Sequence, residues 1–220
     1  MNVKICGITR LNDAFLAAEF GASMIGLNFY KPSPRYLDPI QAAALVAELR
    51  HQLAGFCPVM VGVFVNAPVH EILNIMQDVG LDFAQLSGDE SDALLHELRG
   101  KAFKGIRPQS QAIALEDAAY YAPTFCTDTR APSILLDAYH PKFYGGTGET
   151  ASVDVALAVK AQVPRLMLAG GLTPENVGAR VQAIAPWGVD VASGVEPDGQ
   201  PGIKDAAKMQ AFIHNAKNLL

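Results

Sequence analysis

Residues 165–194 read RLMLAGGLTPENVGARVQAIAPWGVDVASG and contain one complete strand–helix–strand pattern. The apolar run RLMLAG (165–170) is followed by turn residues, by a helical pattern and then by a second apolar run, GVDVAS (188–193). Short apolar runs that are bounded by glycine and separated by helical segments are typical of parallel strands joined by helices. This stretch therefore predicts one unit of an α/β fold in which a helix follows each strand.

The same pattern occupies the chain before this stretch. Several of the earlier runs are almost continuously apolar, as expected for strands of a parallel sheet that is covered on both faces. Asp38 before Pro39, and Thr173 before Pro174, each predict a helix start, because an N-cap residue followed by proline favours one. The six earlier runs are VKIC (3–6), MIGLNF (24–29), VMVGVFV (59–65), DFAQLS (82–87), AFKGIR (102–107) and SILLDA (133–138).

Eight such units in 220 residues predict an α/β fold of one kind, a (β/α)8 TIM barrel. An open, doubly wound sheet is the structural alternative, although it usually needs fewer units at this length. No linker, low-complexity segment or shift in composition divides the chain, so we expect residues 1–220 to form a single barrel domain.

Composition restricts the partners and the compartment. A net charge of -5 argues against nucleic acid as a non-specific partner, and no apolar run reaches the length of a membrane span. Cys6, Cys57 and Cys126 are odd in number and widely spaced, which fits neither a disulfide framework nor a metal-binding knuckle. We therefore expect a cytoplasmic protein without membrane or nucleic-acid partners, in which Cys57 and Cys126 are ordinary buried residues.

The first strand ends at Cys6, and barrels carry their catalytic groups at such strand ends. Side chains alternate along a strand, so Lys4 and Cys6 share one face while Val3 and Ile5 share the other. With the apolar pair under the helices, Lys4 and Cys6 point toward the barrel axis. A thiol there can serve as a general base if its pKa is lowered toward neutrality, although a buried structural cysteine is the simpler interpretation of any single cysteine.

The sixth strand is followed by Asp137, which shares its face with Leu135 and so also points inward at the top of the barrel. A helix cap is the alternative role for such an aspartate, but the segment AYHPKFYGGTG follows it instead of a helix. In a partly dry site the pKa of this carboxyl would rise, and the group would suit general acid catalysis.

Two features suit an anionic ligand. Glycine-bearing segments occur late in the chain at 145–148, 169–172 and 192–195, and the last two follow the seventh and eighth strands, where barrels commonly bind phosphate. In the second loop, YKPSPRYLDP, Arg35 can pair with a substrate carboxylate, although a solvated surface arginine is the preferred interpretation of that residue alone. The candidates for the phosphate cradle are Gly170, Gly171, Ser193 and Gly194.

Taken together, nine motifs resemble the phosphoribosylanthranilate isomerases of tryptophan biosynthesis, in order and over almost the whole chain: KICGITR, SPRY, GVFVN, QLSGDE, LLDA, GGTG, AGGLTPENV, GVDVASGVE and PGIKD. The resemblance implies a barrel that isomerises N-(5-phosphoribosyl)anthranilate to 1-(2-carboxyphenylamino)-1-deoxyribulose 5-phosphate by an Amadori rearrangement. It implies no metal and no organic cofactor, a small phosphorylated substrate as partner, and a monomer or homodimer.

The resemblance also implies residue roles. Asp137 would protonate the furanose ring oxygen, and Cys6, as a thiolate, would remove the proton from C2 of the sugar. Arg35 would grip the anthranilate carboxylate, with Asp190 on the anthranilate side. The phosphate would be held by glycine-bearing loops that contain Gly145, Gly146, Gly148, Gly170, Gly171, Ser193 and Gly194.

Two departures qualify this resemblance: Ser87 stands where the family often has histidine, and the segment ETASVD after GGTG departs from the family pattern. Gly7, which follows Cys6, is expected to leave room for substrate beside the thiolate. Other readings are a phosphosugar epimerase or synthase, which calls for histidine and paired aspartates at strand ends, and a non-catalytic sugar-phosphate-binding barrel. A bifunctional isomerase of histidine biosynthesis calls for aspartate in place of Cys6.

Overall fold

The computed structural model describes residues 1–137 and 152–218. Within these residues eight parallel strands pair in chain order, and the last pairs with the first to close a barrel, so the predicted (β/α)8 fold is confirmed. Seven strands lie inside the apolar runs, and the first strand begins one residue before its run, at Asn2. The strands are β1 (Asn2–Cys6), β2 (Met24–Asn28), β3 (Val59–Phe64), β4 (Phe83–Leu86), β5 (Ala102–Ile106), β6 (Ile134–Leu136), β7 (Leu166–Leu168) and β8 (Gly188–Val191).

A helix follows each strand and packs on the outside of the barrel. In the part of the chain that the structure describes, no helix is both long enough and apolar enough to cross a membrane. The helices are α1 (Leu11–Glu19), α2 (Pro39–Leu53), α3 (Val69–Val79), α4 (Asp92–Glu97), α5 (Gln111–Tyr121), α6 (Val153–Lys160), α7 (Val177–Ile184) and α8 (Ala206–Lys217).

The alternation of side chains along the strands is confirmed. Val3 and Ile5 lie in the large core between strands and helices, whereas Leu135 belongs to a second cluster inside the barrel. That inner cluster fills the barrel below the carboxyl ends of the strands, as side-chain layers do in this fold. Its buried members, among the residues that the structure describes, are Met24, Val61, Phe83, Phe103, Cys126, Ala131, Leu135, Met167 and Ala169.

One of the two predicted helix starts is confirmed and the other is wrong. The Asp38 carboxylate accepts a hydrogen bond from the amide of Ile40, and Pro39 is the first residue of α2. The helix after β7, in contrast, begins at Val177 rather than at Thr173–Pro174. The reason is a side-chain-closed turn, in which Oδ1 of Asn176 accepts from the amide of Thr173 at 2.8 Å.

Truncation of Leu27 should destabilise the barrel because this side chain is fully buried between β2 and the helices. Leu27→Ala should lower the free energy of unfolding by about 2–5 kcal/mol, from lost burial and the cavity that remains. The matched control is Leu73→Ala on α3, where the side chain is 44% exposed. Denaturant titration measures both, and a similar small loss for the two variants would contradict the assigned core.

Candidate active site

A cavity of about 190 Å³ opens at the carboxyl ends of the strands. Its wall brings together Cys6, Arg35, Asp137 and Asp190, which lie far apart in the sequence. The loops after β7 and β8 complete one side of the wall, while the predicted Gly145, Gly146 and Gly148 lie outside the described residues. From those loops the cavity is lined by Gly170, Gly171, Ser193 and Gly194.

Asp137 directly follows β6. Its amide donates a hydrogen bond to the carbonyl of Ile106 at 2.9 Å, which continues the β5–β6 pairing by one residue. Since Leu135 packs inside the barrel, the next residue but one on the same face also points inward. The carboxyl group therefore lies in the cavity wall, half-buried, at the position predicted for it.

Lys4 and Asp190 form an ion pair inside the barrel, with 2.8 Å between Nζ and Oδ1. The two residues are direct neighbours in the register of β1 and β8, and Lys4 is completely buried. Burial by itself lowers the pKa of the Lys4 ammonium, but Asp190 and Cys6 oppose it, and the pKa is raised overall. Lys4 therefore remains a cation in the interior, and Oδ1 of Asp190 accepts a hydrogen bond from its ammonium group.

The Cys6 thiol lies beside this ion pair at the end of β1. A Cβ atom placed on Gly26, the neighbour of Cys6 in β2, would be 2.9 Å from Sγ of Cys6 and 3.1 Å from Nζ of Lys4. The pKa of the thiol is not lowered as expected: burial raises it, Lys4 and Lys204 pull it down, and the net shift is upward. Ionisation of the thiol is opposed by burial and by the Asp190 carboxylate and favoured by the two ammonium groups.

Arg35 is not the solvated arginine that its position alone suggested. Its side chain is 15% exposed, and Nε and Nη2 donate to the two carboxylate oxygens of Glu196 at 2.8 and 2.7 Å. Lys204, also buried, donates to Oε1 of Glu196 at 2.8 Å and to the carbonyl of Ala192 at 2.9 Å. Glu196 thus fixes the plane of the guanidinium at the rim of the cavity.

Gly7 lines the cavity next to Cys6, and the space that its side chain would take is occupied by the stem of Arg35, which the sequence interpretation did not include. The residue has a φ of +70°, and a Cβ atom at this position would lie 2.4 Å from Cδ of Arg35. The loop that carries Arg35 is tied to the end of β2, because the Ser33 hydroxyl accepts from the Arg35 amide and from Asn28 Nδ2. The arginine stem therefore passes directly over the residue that follows Cys6.

The loops after β7 and β8 pack backbone against backbone. A Cβ atom on Gly194 would lie 2.0 Å from the carbonyl oxygen of Leu172, so only glycine fits here. Gly170 and Gly171 have φ values of +83° and +58°, the left-handed region that glycine adopts without strain. These glycines place main-chain amides of two loops at one side of the cavity, an arrangement suited to an anion.

Ser87 occupies the cavity wall on the opposite side, after β4. Its hydroxyl oxygen accepts a hydrogen bond from Nε2 of Gln85 at 3.1 Å. A buried ion pair outside the barrel supports this loop, since Lys104 contacts Glu90 at 2.8 Å and the Glu90 carboxylate accepts from the amide of Gly88. The side chain that replaces the family's frequent histidine is therefore held in place and faces the cavity.

Sequence reasoning missed three residues of this arrangement: Glu196, Lys204 and Gly26. The first two lie in the motifs GVDVASGVE and PGIKD, so their positions were noted without a role. Nothing in the local sequence around Lys204 indicated its burial or its partner. As for ions, the described residues contain no cluster of three or more histidine, cysteine, aspartate or glutamate side chains that would hold a metal.

Comparison with known proteins agrees with this geometry. The family model described as N-(5'-phosphoribosyl)anthranilate (PRA) isomerase matches residues 3–215. The chain belongs to the PRA isomerase family. It is therefore an isomerase of tryptophan biosynthesis, which confirms the enzyme class implied by the sequence motifs.

Relatives of this PRA isomerase family member match over their full lengths. The N-(5'-phosphoribosyl)anthranilate isomerase of Geobacter metallireducens is 41% identical over 219 residues, 99% of each chain. The crystal structure of phosphoribosyl anthranilate isomerase from Thermotoga maritima is similar with a TM-score of 0.85 and 35% identity, covering 99% of this chain and 98% of that one. A further isomerase structure, in complex with reduced 1-(o-carboxyphenylamino)-1-deoxyribulose 5-phosphate, matches with a TM-score of 0.81 and 33% identity over the same shares.

Replacement of Glu196 by glutamine should destabilise the protein in a pH-dependent way. Burial by itself raises the pKa of this carboxyl, but Arg35 and Lys204 lower it below its usual value. A carboxyl group whose pKa is lower in the folded state than in the unfolded state stabilises the fold when the pH is above its unfolded pKa of about 4.3. This stabilisation is lost as the pH falls through the folded pKa. We expect Glu196→Gln to lower the free energy of unfolding by about 3 kcal/mol at pH 7, with the difference narrowing below about pH 4.

Denaturant titrations between pH 3 and pH 7 measure this difference. Glu97→Gln, at an exposed position of α4, is the control and should change stability little at any pH. A Glu196→Gln deficit that is independent of pH would contradict the assigned ion network.

Proposed function

We propose that this isomerase converts N-(5-phosphoribosyl)anthranilate to 1-(2-carboxyphenylamino)-1-deoxyribulose 5-phosphate with Asp137 as general acid and Cys6 as general base. The observation that carries the proposal is that one cavity wall contains both groups, at the ends of β6 and β1. The binding of a reduced product analogue by a related isomerase of the same fold supports the choice of ligand.

The acid step opens the sugar ring. The protonated Asp137 carboxyl gives its proton to the furanose ring oxygen, the bond from that oxygen to C1 breaks, and the anthranilate nitrogen supplies the electron pair. The result is a protonated Schiff base and a carboxylate on Asp137. A general acid contributes typically 10²–10⁴-fold to such a step.

The base step moves the double bond. The Cys6 thiolate takes the proton from C2, and the electrons of that bond flow toward the protonated Schiff base, whose positive charge acidifies C2. This produces an enol-amine and a neutral thiol. The Cys6 thiol then gives its proton to C1 of the enol-amine, and the Asp137 carboxylate takes the proton of the C2 hydroxyl. These two transfers give the ketone and restore the Cys6 thiolate and the protonated Asp137.

Orientation of the substrate follows from its two anionic ends. Nε and Nη2 of Arg35 donate hydrogen bonds to the Glu196 carboxylate. Since a guanidinium carries five N–H donors, Nη1 can donate to the anthranilate carboxylate. Asp190 contributes its second oxygen to the anthranilate side, since Oδ1 holds Lys4. The amides around Gly171 and Gly194 hold the phosphate, which places the sugar between Cys6 and Asp137.

The acid and base assignments are tested with Cys6→Ala and Asp137→Asn. Each variant should lower kcat by about 10²–10⁴-fold while the circular dichroism spectrum and melting temperature are retained. Turnover is followed as loss of substrate fluorescence in the presence of EDTA, because the proposed steps use no metal.

The matched controls are Cys57→Ala, at the amino-terminal end of the strands, and Asp78→Asn, on the exposed face of α3. Both should keep wild-type turnover. Full activity of Cys6→Ala or Asp137→Asn would remove that residue from the mechanism, and activity that disappears with EDTA in the wild type would contradict a metal-free reaction.

The carboxylate contact is tested with Arg35→Lys. Lysine keeps the charge but loses the planar fork, so we expect KM to rise about 10–100-fold with a smaller effect on kcat. Arg10→Lys, an exposed residue after the same strand as Cys6, is the control and should leave KM unchanged. An unchanged KM for Arg35→Lys would place the anthranilate carboxylate elsewhere.

A further inference from the structure

The side chains of Lys4 and Cys6 lie together inside the barrel, in the space that is left because Gly26 has no side chain. The atoms Nζ and Sγ lie 3.1 and 2.9 Å from the place where a Cβ of Gly26 would be. Lys4 has no exposed surface, and Asp190 accepts from its ammonium at 2.8 Å. An ammonium group has three N–H donors, so the carboxylate leaves further donors for the sulfur that lies beside it.

We propose that the Lys4 ammonium, held by Asp190 in the space above Gly26, is the counter-ion that stabilises the Cys6 thiolate. Lys4 is thus a positioning residue that acts on the reaction through Cys6. The proposal rests on the proposed function only in naming Cys6 as the base, and its central measurement requires no turnover.

Two other cations near Cys6, Lys204 and Arg35, are held by Glu196. Lys204 is held by Glu196 and the carbonyl of Ala192, and Arg35 is held by both oxygens of the same glutamate. Asp190 opposes ionisation of the thiol, while Arg107 and Asp137 line the cavity with it. Lys4 is the cation that shares the space above Gly26 with the sulfur.

Two further observations support this role. Among the charges acting on the thiol, Lys4 has the largest effect in lowering its pKa against the rise caused by burial. In addition, a buried ion pair gives little or no net stability compared with well-packed apolar side chains. Stability of the barrel therefore does not account for the lysine, whereas a thiolate beside it does.

The test is the pH dependence of Cys6 alkylation by iodoacetamide, followed by mass spectrometry of the cysteine-containing peptides. In Lys4→Met the midpoint for Cys6 should move upward by about 1–3 pH units, because an opposite charge at this range lowers a pKa by that amount. Cys57 in the same sample is the internal reference and should not move. Lys104→Met, which removes another buried lysine outside the barrel, should leave the Cys6 midpoint unchanged.

Rapid alkylation of the buried Cys126 would reveal that Lys4→Met unfolds. In that case a second variant and a second measurement still test the proposal. Gly26→Ala retains both groups but pushes Sγ and Nζ apart, and should move the Cys6 midpoint in the same direction. In the wild type, the ¹⁵Nζ resonance of Lys4 should titrate with the midpoint of Cys6 alkylation.

A Cys6 midpoint that stays unchanged in a folded Lys4→Met or Gly26→Ala variant would overturn the proposal, and so would a Lys4 resonance that does not respond to Cys6 ionisation. If Lys4 were merely structural, Lys4→Met would lower kcat equally at all pH values. If Lys4 is the counter-ion, Lys4→Met moves the acid limb of the pH profile of kcat to higher pH, together with the alkylation midpoint. Full activity of Cys6→Ala is a separate result that refutes the base assignment and leaves the Lys4–Cys6 measurement standing.

Discussion

The ion pair between Lys4 and Asp190 spans the seam where β8 closes on β1, inside the barrel, and Asp190 is part of the cavity wall. A charge removed from water requires a close partner, and the in-register pairing of β1 and β8 supplies one for both Lys4 and Asp190. Because the pair occupies this position, Cys6 has a cation beside it and Gly26 has no space for a side chain. The chemistry proposed for the first strand depends on that arrangement.

Above the seam, Glu196 pairs with Arg35 and Lys204, so the buried charges at the rim of the cavity are also held by close partners. The two groups of charges can be counted together. Lys4, Arg35 and Lys204 are cations, Asp190 and Glu196 are carboxylates, and one positive charge remains uncompensated among the five. An anionic substrate, or a thiolate, is therefore favoured locally even though the whole chain carries a net charge of -5. Main-chain amides of the glycine-rich loops after β7 and β8 add to this field without adding charge.

The fold and the inward direction of Cys6 and Asp137 were predictable because they follow from local patterns, namely apolar runs and the alternation of side chains along strands. The partners of these groups were not predictable in the same way. Arg35 and Glu196 are separated by 161 positions and Lys4 and Asp190 by 186, and nothing in either neighbourhood of the sequence indicates the other. The upward shift of the Cys6 pKa and the late start of α7 likewise depend on burial and on a side-chain turn that only the folded chain defines.

A crystal structure of this protein with the reduced product analogue bound tests the proposed arrangement of the site most directly. The arrangement of charges predicts the phosphate at Gly171 and Gly194 and the carboxylate at Arg35. It also places C2 of the sugar within about 3.5 Å of the Cys6 sulfur, with the Asp137 carboxyl at the oxygen of the opened ring. A ligand bound in the reverse orientation, with its phosphate on Arg35, or a C2 atom out of reach of the sulfur, would contradict the account.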